Sequence, residues 1–159
     1  MNWFKQGQQN YLWDNDSSLP FSTINWENSQ QTINEINNIY PKSRGDISGL
    51  SIDFSSPIPN TSSISSSLNK YHILKDIREI PIDQFNTNLF YASDDINRSK
   101  ALSKEILLSR KIKPLIVVID KEGPYILEGA HRLYALSLIG VKSIPALVVI
   151  NMENLYELV

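Results

Sequence analysis

Between the apolar triplet Tyr125 to Leu127 and a second apolar run that begins at Leu133, the chain reads Glu128-Gly129-Ala130-His131-Arg132. A strand entering this stretch and a helix leaving it would aim the backbone N–H groups of Ala130, His131 and Arg132 out of a helix N-terminus, where the macrodipole favours negative charge. Gly129 lets the backbone come close to a ligand. Arg132 brings a bidentate fork and His131 a ring nitrogen, both suited to phosphate oxygens. Glu128, just ahead of the turn, is placed to act as a catalytic base or to hold Mg²⁺ bridging to a bound phosphate. Its alternative is a surface ion pair with Arg132 or Lys142, a common and weak arrangement. Lys113 and Pro114, upstream, are expected to shape the adjacent wall.

The elements that must position these groups are legible from residue 71 onward. Ile73 to Ile82 mixes charged and β-branched residues and reads as a strand ending at an edge or turn. Ser93 is a candidate cap for a helix from Asp94 to about Lys111, with Asp94 and Asp95 in its first turn and Leu102, Ile106 and Leu107 on its apolar face. Lys113-Pro114 breaks it. Leu115 to Ile119 is a short β-branched run that suits a buried strand, Asp120 to Pro124 a turn, and Tyr125 to Leu127 the returning strand. A helix over His131 to Ile139 stops at Gly140, and Ile144 to Ile150 is a further buried strand. Hairpin, helix and returning strand together predict an α+β fold with a mixed sheet and two or three helices.

Gly129-x-His131-Arg132-x-x-Ala135, followed by Gly140 and then Ile144-Pro145 opening an apolar strand, resembles the signature of the ParB/sulfiredoxin superfamily. The resemblance runs from about residue 72 to 150. Arg78 to Ile82 is similar to the family's first strand, Asp94 to Arg110 to its helix, and Ile112 to Gly123 to its second strand and hairpin turn. It implies a small α+β nucleotide-binding fold whose glycine turn holds nucleotide phosphates. Sulfiredoxins carry their catalytic cysteine where this chain has Ala130, so their reductive repair chemistry is excluded. ParB partition proteins show Glu-Arg-Arg after the glycine and continue into a helix-turn-helix, and with Ala130, His131 and Arg132 after Gly129 and nine residues beyond Ile150, a partition protein is not the expectation. The nearest pattern is the Asp-Gly-His-His-Arg of the superfamily's free serine kinases, from which Glu128 and Ala130 depart. Such a kinase would also need an acceptor-side carboxylate, for which Glu79, Asp83, Asp94 and Asp95 are candidates.

The whole chain has 159 residues, 42% of them hydrophobic and 20% charged, with a net charge of -2. One domain with an appended segment is expected, and a polybasic nucleic-acid coat is excluded. No cysteine is present, which removes thiolate metal sites and thiol nucleophiles. No apolar run is long enough for a membrane span, and nothing near Met1 reads as a signal peptide, so a cytoplasmic protein with no membrane partner is expected. Residues 1–54 read as a polar, aromatic-containing arm, partly ordered, with one helical stretch from Asn28 to Tyr40 stopped by Pro41. Ser55 to Lys70 reads as a Ser/Pro linker, and 71–159 as a domain that folds without the arm.

The expected function is binding of a nucleoside di- or triphosphate, ATP or another, with Mg²⁺ and with hydrolysis or transfer of the terminal phosphate. Two rivals stand beside it. One is a nucleic-acid-binding or accessory ParB-like protein, or a nuclease, in which the turn grips a backbone phosphate and the tryptophans stack on bases. The other is a domain that kept the fold and lost the ligand.

Overall fold

The computed structural model describes residues 24, 26–54, 71–87 and 92–152. The Ser/Pro segment, Trp3 and Trp13 lie outside the described residues. Helix α1 (Ser29–Ile39) begins where the Asn28 side chain accepts the Gln31 N–H, and ends before Pro41, as its pattern predicts. Two short strands follow, β1 (Asp46–Ile47) and β2 (Leu50–Ile52), then β3 (Tyr71–Ile73), β4 (Arg78–Pro81) and a 3₁₀ turn (Ile82–Gln84). Helix α2 (Ser93–Ser109) leads to β5 (Lys111–Ile112), β6 (Leu115–Asp120) and β7 (Gly123–Glu128), and helix α3 (Ala130–Ile139) leads to β8 (Ser143–Asn151). The fold is α+β.

The main sheet runs β3-β8-β6-β7, with β4 also on β8. Both β3 and β4 lie antiparallel to β8, taking successive stretches of one edge: His72 faces Ile150, and Ile80 faces Ile144. The single strand expected over Ile73 to Ile82 is therefore broken, and Asp76 sits in the break with φ 68. Strand β6 is parallel to β8 and antiparallel to β7. With α3 making the return from β7 to β8, the turn at Gly129 falls at the end of the sheet where β6 begins, since Glu128 faces Ile116. A second sheet, β1-β2-β5, takes up Ile112, the first residue of the stretch that resembles the family's second strand, and pairs it with Ile52 before β6 starts.

Two expectations at α2 are corrected. The residue at its N-cap is Ala92, with no side-chain cap, and Ser93 is already helical. On its apolar face Ile106 is buried, but Leu107 is 44% exposed. Helix α2 then closes on Arg110 in the left-handed region, whereas α3 closes on Gly140, where glycine adopts that conformation without a Cβ penalty.

The boundary near residue 70 does not separate an arm from a core. Ile36, Tyr40, Ile47, Leu50 and Ile52 belong to the same buried cluster as Leu115, Leu133 and Ile144, and Ile24 and Trp26 pack against it. The backbone ties this segment down as well, with Glu79 N–H donating to Pro41 O at 3.0 Å and Asp53 N–H to Ile112 O at 2.8 Å. The sequence reading missed this because strands of two and three residues are too short to show a period. Among the described residues no helix is long and apolar enough to cross a membrane.

Candidate functional site

Strand β7 delivers the chain to Gly129, whose φ of 109 is a conformation that side-chain-bearing residues rarely adopt. The glycine is also required by packing. A Cβ there would lie 2.8 Å from Leu115 Cγ and 3.3 Å from Arg132 Nη1. Close approach at this turn thus serves β6 and the Arg132 side chain, where the sequence suggested approach to a ligand. Gly129→Ala is expected to cost about 1–3 kcal/mol through left-handed strain and overpacking. Urea unfolding measures it, and a loss below about 0.5 kcal/mol would show that Leu115 yields freely.

Helix α3 begins directly on this turn, with no side-chain cap at Gly129 and no acidic residue in its first turn. Its positive end is therefore not compensated from within the helix. Ala130 is buried in the core, so it can offer a ligand only its backbone N–H. Arg132 lies half-buried beside the turn and donates from Nη1 to Pro114 O at 3.0 Å. No other described group takes a hydrogen bond from its remaining nitrogens. Burial lowers the guanidinium's pKa, and the nearby Glu128 carboxylate opposes that shift. This is the geometry of a cation held in place by one bond with donors to spare.

His131 points to α2. Its Nε2 lies 3.0 Å from Asp95 Oδ1, both side chains about one-third exposed, so the first turns of α2 and α3 are joined across this pair. Of the four acidic candidates, Asp95 is thereby the one brought to the turn. The Glu79 carboxylate accepts the Arg44 N–H at 3.3 Å, and Asp83 and Asp94 are exposed. Glu128 is exposed at the end of β7, and Lys113 is exposed between β5 and β6. Pro114 reaches the turn through its carbonyl, which seats Arg132. Nothing local in the chain signals the Asp95–His131 pair, because its members lie 36 positions apart.

Among the described residues no three Asp, Glu or His side chains converge as a metal-ligand set. Were Mg²⁺ to arrive on phosphate oxygens, the exposed Glu128 carboxylate would be the protein's ligand to it. No known protein family, curated protein or solved structure matches the chain.

Proposed function

We propose that the protein binds a nucleoside di- or triphosphate through the turn that opens α3. The observation that carries this reading is the pairing of an uncapped helix N-terminus with Arg132, fixed beside it by Pro114 O. Backbone donors and a guanidinium then converge on one anion. The resemblance of Gly129-x-His131-Arg132 to the ParB/sulfiredoxin signature supports it. In this reading Gly129, Ala130, His131 and Arg132 hold phosphate, with Lys113 and Pro114 alongside. Glu128 serves as base or Mg²⁺ ligand for hydrolysis or transfer of the terminal phosphate. His131 enters through an imidazole that Asp95 orients, so its contribution depends on that carboxylate.

The test is a thermal-shift panel of ATP, ADP, CTP and GTP with and without Mg²⁺, since a ligand that binds only the folded state raises its stability. Titration calorimetry of Arg132 variants follows. Hydrogen bonds to charged groups contribute about 1.5–3 kcal/mol, so Arg132→Ala is expected to weaken nucleotide binding about 10- to 150-fold, with Arg132→Lys between it and wild type. The variant also loses its bond to Pro114 O, so melting curves accompany the titrations. A folded Arg132→Ala protein that binds as well as wild type removes the phosphate site and leaves the ligand-free fold as the better reading.

A further inference from the structure

An ionised carboxylate only accepts hydrogen bonds, so Asp95 Oδ1, 3.0 Å from His131 Nε2, fixes a hydrogen on that nitrogen. The choice decides what the ring can do. A neutral imidazole has one N–H, and here Asp95 takes it, which leaves Nδ1 as a lone pair. A lone pair does not hold a phosphate oxygen. The imidazolium, protonated on both nitrogens, keeps its bond to Asp95 and carries a second N–H together with a positive charge.

Charge leads to the same result. With a neutral ring the pair brings the negative charge of Asp95 to the turn that opens α3, where it opposes an incoming anion; with a protonated ring the pair is neutral. Both side chains are about one-third exposed, so a proton reaches the ring without any opening of the fold. The other charged groups of the elements that meet at this end are Asp94 and Arg98 on α2, Arg132 on α3, Glu128 at the end of β7 and Lys113 between β5 and β6. Asp94, Arg98, Glu128 and Lys113 are exposed, and the Glu128 charge acts on Arg132. Of these residue types, histidine is the one that ordinarily changes charge between pH 5 and 8.

We propose that phosphate binding at the α3 turn takes up a proton on His131, and that Asp95 is the positioning residue that couples the two, by holding the ring so that it meets an anion only when charged. The inference rests on the phosphate reading and gives it a sign. Binding of a nucleoside di- or triphosphate strengthens as the pH falls from about 8.5 to about 6.5, by at most about tenfold per pH unit for a single proton. The proton comes from solvent and returns to it when the nucleotide leaves.

Titration calorimetry of the full chain with ATP and Mg²⁺ at about pH 7.5, in two buffers of different ionisation enthalpy, counts the protons exchanged where the terminal phosphate is already ionised. Wild type is expected to take up part of a proton per nucleotide and His131→Gln none. Asp95→Asn, which keeps the shape and loses the charge, is expected to take up distinctly less than wild type. Between about pH 6.5 and 8.5 the Kd of wild type should change several-fold more than that of His131→Gln, a comparison that cancels the nucleotide's own titration. The chain has two histidines, so ring ¹⁵N spectra separate them, and nucleotide should move the His131 signals toward the protonated form while those of His72 stay in place. These spectra need only the wild-type chain, and they decide the matter should a variant unfold. Nucleotide binding with no proton uptake, or with equal uptake in His131→Gln, overturns the proposal and leaves the phosphate site standing. Undiminished uptake in a folded Asp95→Asn protein overturns the coupling through Asp95. Absence of nucleotide binding by wild type at every pH removes the phosphate reading itself, and this inference with it.

Discussion

Arg78→Met is expected to lower the stability of the protein by about 3–5 kcal/mol while leaving its volume nearly filled. Arg78 is 3% exposed, and its guanidinium joins three backbone carbonyls. Nη1 donates to Tyr40 O at 3.1 Å and to Asn37 O at 3.3 Å, and Nε and Nη2 both donate to Lys75 O, at 3.0 and 2.7 Å. The first two carbonyls lie at the C-terminal end of α1, where the last turn leaves acceptors without intrahelical partners and the dipole favours a cation. Burial lowers the Arg78 pKa, with Asp76 opposing. Each acceptor left short of a donor costs roughly 1–3 kcal/mol, and three neighbours sharing one partner do not add fully. Arg78→Lys keeps the charge but cannot span all three, so it is expected between Met and wild type. Urea titration measures the series. A loss under about 1 kcal/mol for Met would mean that water satisfies the carbonyls and that the clamp is dispensable.

A chain starting at Lys70 is expected not to fold cooperatively. It lacks Ile36 and Tyr40, each 0% exposed, together with Leu50 at 1%, Ile47 at 4% and Ile52 at 6%. At roughly 1.5–3 kcal/mol per buried side chain the loss is about 8–15 kcal/mol, an upper estimate that equals the whole stability of an ordinary domain. Arg78 would also lose two of its acceptors, Tyr40 O and Asn37 O. Thermal unfolding of the shortened chain should show a broad transition without a defined midpoint. A sharp melt close to that of the full chain would make residues 26–54 an appendage after all.

These two outcomes mark where the sequence was readable. Local devices were plain in it. Pro41 stops α1, Gly140 stops α3, and the continuous apolar runs become β6 and β8. The turn at Gly129 was also found, since a strand, a glycine and an apolar helix follow one another without a gap. What escaped were contacts between residues far apart in the chain, such as Arg78 with Tyr40 O, Asp95 with His131, and Gly129 with the Leu115 side chain. An arginine in Arg-Glu-Ile-Pro-Ile looks like any charged residue on a strand until the end of α1 is laid against it. Likewise Leu50 and Ile52 carry core weight in a strand too brief to announce itself.

The edge of β8 carries a consequence for the order in which the molecule is made. Both strands on that edge precede β8 by many residues, with Tyr71 opposite Asn151 and Pro81 opposite Ser143, and β6 flanks β8 on its other side. Until β8 clears the ribosome, β3 and β4 have no ladder to join, and β6 has β7 alone. The nascent chain therefore holds β3 and β4 without their partner until β8 is made, and closure must wait for long-range pairings, which are slow to find. Substitutions in β8 should for that reason slow refolding more than equally destabilising ones in α1, so that the final described strand acts as the clasp of the fold.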